Sequence, residues 1–379
     1  MGAFLAVILC GTASAQELPR GEIIVNVQCR LDASQRYALY LPSYFNLSRQ
    51  WPVILAFDGS GRGRQGVERY RAAAERYGYV VAGSNNSHNG PWNVGLDAAT
   101  AMAVDIKRRF PIDAKRMYTA GMSGGARVAI MVAQNSPEIA GVFASRAGYS
   151  TTFHKSERFP LFGSAGTEDF NYREMRAVDR LMTSPHRVEV FEGGHTWLPI
   201  EMATSGVEWM EVQAMKDGLR PRDDELVAEL FSKRVARANA QQSSLARMRA
   251  LKQIAGDFEG LHDVAKVIES ATALEGRPDV AAALGAERAE DARELRVRSE
   301  ADSLVRQLGW PERADAALVS LKSFVASLLD VARQDADSSE RRIARRVLAG
   351  LRASRGSVGN QKFQEWMTTI QLPAPPPSH

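Results

Sequence analysis

Three side chains of the types that together perform nucleophilic catalysis stand at the ends of three apolar runs. Ser123 lies in Gly121-Met122-Ser123-Gly124-Gly125, directly after the run Met117-Tyr118-Thr119-Ala120 and before residues at helical spacing. A serine placed between a strand and a helix occupies a sharp, strained turn that exposes its hydroxyl, and the flanking glycines give that turn room. A helix beginning near Gly124 would direct free N–H groups and its positive dipole end toward an oxyanion. Asp169 closes Phe162-Gly163-Ser164-Ala165-Gly166-Thr167-Glu168-Asp169, and His195 follows Val190-Phe191-Glu192-Gly193-Gly194. A neutral imidazole can take the hydroxyl proton, and a carboxylate can fix its tautomer and stabilise its charged form, so Ser, Asp and His on successive loops suit acyl transfer. Glu168 is the second choice of carboxylate. Competing readings are an ordinary glycine-rich turn at Ser123, a helix cap at Asp169 and a structural role for His195; strand context and order weigh against them.

Those residues need a scaffold. Ile23 to Val27, Tyr37 to Leu41, Pro52 to Phe57, Tyr79 to Ala82, Arg116 to Ala120, Gly141 to Ala147, Pro160 to Ser164 and Val188 to Phe191 read as strands. Between them, Leu96 to Phe110, Ala126 to Gln134, Tyr172 to Met182 and Ile200 to Lys216 read as helices. The alternation predicts an α/β fold, a mostly parallel sheet with helices on both faces, over residues 16–218. Sites of such sheets lie beyond the carboxyl ends of the strands, where the three residues stand.

Taken with Tyr37-Ala38-Leu39-Tyr40-Leu41-Pro42 and Gly193-Gly194-His195-Thr196-Trp197, this part of the chain resembles the α/β-hydrolase superfamily. Within it, the resemblance is to the secreted esterases that include polyhydroxybutyrate depolymerase-like, feruloyl and acetylxylan esterases. It implies carboxylic ester hydrolysis through an acyl-enzyme, with no metal or organic cofactor. Members usually have His-Gly after the strand that supplies the second oxyanion N–H, whereas this chain has Phe57-Asp58-Gly59-Ser60-Gly61. The resemblance therefore puts one N–H on Gly124 and the other on Ser60 or Gly59.

Only about a dozen residues separate the strands around Gly148 to Phe159, a normal loop length, so no lid is expected there. An open site suits bulky or polymer-borne esters, with Trp92, Phe153, Phe170, Tyr172 and Trp197 as candidate lining. Asn85 and Asn86 are candidate contacts for a hydroxylated substrate, or else simply build a turn. A prolyl-oligopeptidase-like peptidase and a binding protein on a degenerate hydrolase scaffold are the alternative functions.

Beyond Gly218 the composition shifts to Ala, Arg, Glu and Leu, and a helical domain is expected over 219–370 as a bundle or array. Helices are expected from about Asp223 to Ala255, Phe258 to Leu274, Pro278 to Leu308, Pro311 to Arg333, Ser338 to Leu351 and Gln361 to Thr369. This module is expected to supply no catalytic group and is a candidate for binding a further, unidentified partner. Arg341, Arg342, Arg345 and Arg346 read as a solvated helix face, and 371–379 as a Pro-rich disordered tail.

At the amino terminus, Ala3 to Leu9 is apolar but too short to span a bilayer, and Ala13-Ser14-Ala15 is an A-x-A pattern. Residues 1–15 read as a signal peptide, which predicts a secreted or periplasmic protein with no membrane span. Cleavage would leave Cys29 as a lone buried thiol. The formal charge of +4, spread along 379 residues, argues against nucleic acid as a partner.

Overall fold

The computed structural model describes residues 18–149 and 153–373. The expected signal peptide and residues 374–379 of the expected tail lie outside them. Among the described residues eight strands form one sheet: β1 (Ile23–Gln28), β2 (Arg36–Tyr40), β3 (Trp51–Asp58), β4 (Val80–Ser84), β5 (Ile112–Met122), β6 (Ile139–Ser145), β7 (Leu161–Gly166) and β8 (His186–Phe191). Their order is β1-β2-β4-β3-β5-β6-β7-β8. β2 runs antiparallel to β1 and β4, and every pair from β4 to β8 is parallel. The expected mostly parallel sheet is observed.

Parallel strands need helical crossovers, and these cover both faces of the sheet. The helices are α1 (Gly63–Tyr77), α2 (Trp92–Arg109), α3 (Gly124–Asn135), α4 (Tyr172–Leu181) and α5 (Ile200–Lys216). Alternate residues of β3 point to opposite sides. Val53, Leu55 and Phe57 join Met102 and Ile106 of α2 and Val128 and Ile130 of α3 in one core. Ile54 and Ala56 join Val67 and Tyr70 of α1 and Trp209 and Met210 of α5 in the other. The sequence analysis did not include α1, whose arginines, glutamates and glutamine leave it strongly polar overall, with Val67, Tyr70, Ala73 and Ala74 on its buried face.

Among the described residues seven further helices follow: α6 (Asp224–Asn239), α7 (Ser244–Phe258), α8 (Ala265–Glu275), α9 (Pro278–Gln307), α10 (Pro311–Ala332), α11 (Ser339–Ser354) and α12 (Gln361–Thr369). The single helix expected up to about Ala255 is instead two, because Ser243 accepts a hydrogen bond from the Ala246 N–H and starts a new helix. α6 to α8 pack on the end of α5 through Val227, Leu230, Leu251 and Ile254 against Val212 and Met215. α9 to α12 share a separate core of Leu321, Val325, Val347, Leu348, Phe363 and Met367. Among the described residues no helix is long and apolar enough to cross a membrane.

Two expectations about the helical part are corrected. Three of the four arginines of α11 are not a solvated face. Arg346 is buried, ion-paired to Glu294 at 2.7 Å and donating to Thr167 O at 2.6 Å. Arg345 holds both oxygens of Glu168 at 3.0 Å, and Arg341 donates to Asp335 O and Asp337. A guanidinium can be buried when carboxylates and carbonyls pair with it, here across some 180 residues, which a local sequence pattern does not reveal. Leu372 and Pro373, the start of the expected disordered tail, line a cavity with α11.

Candidate active site

β5 ends at Met122, α3 begins at Gly124, and the turn between them puts Ser123 at φ 57°, ψ −122°. Only tight packing keeps a non-glycine residue there. A Cβ on Gly121 would stand 2.1 Å from Gly125 O, and one on Gly125 would stand 2.2 Å from Phe57 O, so both flanking positions admit only glycine. The Ser123 N–H donates to Ser145 O at 2.9 Å, tying the turn to β6. The Gly124 N–H opens α3 and has no intrahelical acceptor.

The loops after β7 and β8 carry the other two groups to this turn. His195 Nε2 lies 2.9 Å from Ser123 Oγ, and Nδ1 lies 3.0 and 3.1 Å from the two oxygens of Asp169. The Asp169 carboxylate is wholly buried and also accepts the Asn171 N–H at 2.8 Å. The Phe170 ring stacks on the imidazole at a centroid distance of 4.2 Å. The structure thus brings Ser123, Asp169, His195, Gly124 and Phe170 together.

Arg146 was not foreseen. It follows β6, has φ 61°, and its guanidinium is fully buried, with Nη1 donating to Asp169 Oδ2 at 2.8 Å. It lies 4.3 Å from the centre of the Phe191 ring. Burial pulls the guanidinium down to about 10, against the Asp169 carboxylate, which favours its charge. The sequence carries no motif for it; an arginine ending an apolar strand is the only signal.

Several expected contacts are corrected. The Ser60 N–H does not face the site, because it donates to Asp58 Oδ1 at 2.8 Å. Asp58 is locked by Arg62 at 2.9 and 3.1 Å and by the Trp197 indole N–H at 3.0 Å. Trp197 is therefore a buried strut and not a lining residue. That leaves Gly59, whose N–H has no backbone acceptor among the described residues. Asn85 donates to Val25 O, and Asn86 accepts the Arg36 N–H and donates to Ser34 O, so both amides build the turn. Trp92 stands exposed at the start of α2. Phe153 packs edge-on against Tyr149, and Tyr172 lies beneath Arg346. Glu168, the alternative carboxylate, is engaged by Arg345.

A cavity of about 270 Å3 lies against Gly194 and His195, and its opposite wall is Leu348, Ala349 and Arg352 of α11 with Leu372 and Pro373. Arg298 of α9 donates to Phe170 O at 3.0 Å. The carboxy-terminal helices thus form one wall beside His195.

Neither a family model nor a curated protein matches the sequence. Solved structures do resemble it. A thermostable esterase is 16% identical over 49% of this chain and 61% of its own, with a TM-score of 0.38, so the chain spans about three fifths of that protein. A hyperthermophilic esterase from Pyrobaculum calidifontis is 12% identical over 52% of this chain and 87% of its own, with a TM-score of 0.39. The feruloyl esterase module from Clostridium thermocellum, in complex with sinapinate, is 14% identical over 46% of this chain and 82% of its own, with a TM-score of 0.38. On its strand order, its antiparallel β2 within an otherwise parallel run and the sharp turn joining β5 to α3, the chain has the α/β-hydrolase fold.

Proposed function

We propose that this chain is a serine hydrolase of carboxylic esters. The observation that carries the reading is the continuous hydrogen-bonded line from Ser123 Oγ through both nitrogens of His195 to Asp169. In this reading Ser123 Oγ attacks the ester carbonyl as its proton passes to His195 Nε2, and the carbonyl oxygen becomes an oxyanion facing the N–H groups of Gly124 and Gly59. The carbonyl then re-forms. The bond to the alcohol breaks, and His195 returns the proton to the departing oxygen, leaving an acyl-serine. Water repeats the sequence, giving up a proton to His195 and releasing the acid. Asp169 holds the imidazole by Nδ1 and stabilises its charged form, while Phe170 fixes the ring plane.

The wall formed by α11 and Leu372 supports small or moderately bulky esters better than an exposed polymer chain. The test is labelling of the purified protein with a fluorophosphonate and hydrolysis of p-nitrophenyl acetate. Ser123→Ala is expected to abolish both while leaving circular dichroism unchanged; labelling that persists in the variant removes Ser123 from the reaction.

A further inference from the structure

The loop from β4 to α2 carries an amide that the proposed reaction has not used. Asn89 lodges its side chain between the two glycines assigned to the oxyanion. A Cβ on Gly124 would stand 1.8 Å from Asn89 Oδ1; one on Gly59 would stand 2.6 Å from that oxygen and 3.0 Å from Nδ2. The absence of side chains at 59 and 124 therefore makes room for this amide. Asn89 is exposed, and among the described residues its amide has no hydrogen-bond partner.

Its backbone, by contrast, is fixed. The Asn89 N–H donates to Gly59 O at 2.8 Å, and Ser60 and His88 form a bridge beside it. Upstream, Ser84 Oγ accepts the N–H groups of Asn86 and Ser87 at 3.2 and 3.0 Å, and Asn86 is pinned to Arg36 and Ser34. A rigid loop thus presents a free amide at the place where negative charge is proposed to develop. The Ser60 N–H, which the family resemblance made a candidate, is engaged by Asp58.

We propose that the Asn89 side-chain amide is a third donor to the oxyanion, and hence a catalytic residue of this site; the proposal rests on the serine hydrolase reading above. Half a turn about χ2 exchanges Oδ1 and Nδ2, which brings the donor end toward Gly124. A donor positioned beforehand costs no reorganisation as the carbonyl becomes tetrahedral, and loss of one such donor typically lowers kcat by about 100- to 1000-fold.

The experiment compares wild type, Asn89→Ala and Asn89→Asp on p-nitrophenyl acetate, with affinity for an aryl trifluoromethyl ketone, a tetrahedral-adduct inhibitor, measured beside kcat and KM. For Asn89→Ala, kcat is expected to fall by about 100- to 1000-fold with KM nearly constant and inhibitor affinity weakened in proportion. Asn89→Asp is expected to be lower still, since a carboxylate only accepts. Thermal midpoints close to wild type are expected, because the side chain is exposed. An unchanged or raised kcat in Asn89→Ala, or a fall carried by KM with inhibitor affinity intact, overturns the assignment and leaves the hydrolase reading standing. Wild type that neither hydrolyses any ester nor takes the fluorophosphonate overturns both.

Discussion

At the scale of single residues, the Asp169 carboxylate has three kinds of partner: the imidazole of His195, the Asn171 N–H and the Arg146 guanidinium. Two buried opposite charges are each stabilised by the other, and removing one leaves the second uncompensated. Arg146→Met is therefore expected to destabilise the protein by about 3–5 kcal/mol, read as the shift in urea unfolding. Hydrolysis is expected to fall as well, since Asp169 then loses one of the contacts that aim it. If stability and rate both match wild type, the ion pair contributes nothing. Asp58 is tied in the same way to Arg62 and Trp197, which explains why an acidic residue can stand after β3 without placing an unpaired charge beside the site.

At the scale of elements, the turn from β5 to α3 works because its glycines let three backbones approach. Gly125→Ala would drive a methyl into Phe57 O and the Asp58 N–H, at 2.2 and 2.7 Å, at the end of β3. We expect a loss of about 1–3 kcal/mol in stability, typical of an overpacked core, and loss of ester hydrolysis. A second junction ties α2 to β1 and β2 through Asp105, which accepts from Tyr37 OH at 2.7 Å, the Arg30 N–H at 2.9 Å and Arg109. Burial alone would raise the Asp105 carboxyl, but these donors outweigh it and hold it below its usual value of 3.8. Its folded pKa is thus below its unfolded one. The unfolded chain binds the proton more readily, so this stabilisation is present above pH 3.8 and is lost as pH falls through the folded value. Asp105→Asn is expected to lower stability at pH 7 and to flatten its decline below about pH 4, measured by urea unfolding across pH.

At the scale of the whole molecule, the carboxy-terminal helices are joined to the sheet on two sides. α6 to α8 cover Val212 and Met215 of α5, while α9 and α11 reach the loop that carries Glu168, Asp169 and Phe170. A chain ending at Gly218 would expose that apolar end of α5 and leave Glu168, almost fully buried, without Arg345. We expect such a chain to melt at a lower temperature than the full protein and to hydrolyse p-nitrophenyl acetate less well; equal midpoints and rates would mean that the helices act as an independent module. Ala349→Trp, which fills the cavity of about 270 Å3, is expected to lower kcat/KM for a bulky aryl ester more than for the acetate.

What the sequence determined by itself was whatever rests on local pattern. Short apolar runs gave the strands, since β3, β4 and β7 are buried on both faces and so lack polar alternation. The glycines around Ser123 and before His195 marked the turns, because a close backbone approach excludes any Cβ. α1 escaped because its many charged and polar residues leave few apolar positions to mark it as an element. Only the tertiary structure decided the partners of the charged groups. Arg146 meets Asp169 across 23 positions, Arg345 meets Glu168 across 177, and Trp197 meets Asp58 across 139. Asn89 likewise reads as one turn residue among several until the fold sets it against Gly59 and Gly124. A charge or an amide acquires its role from what surrounds it in space, and no periodicity along the chain encodes that neighbourhood.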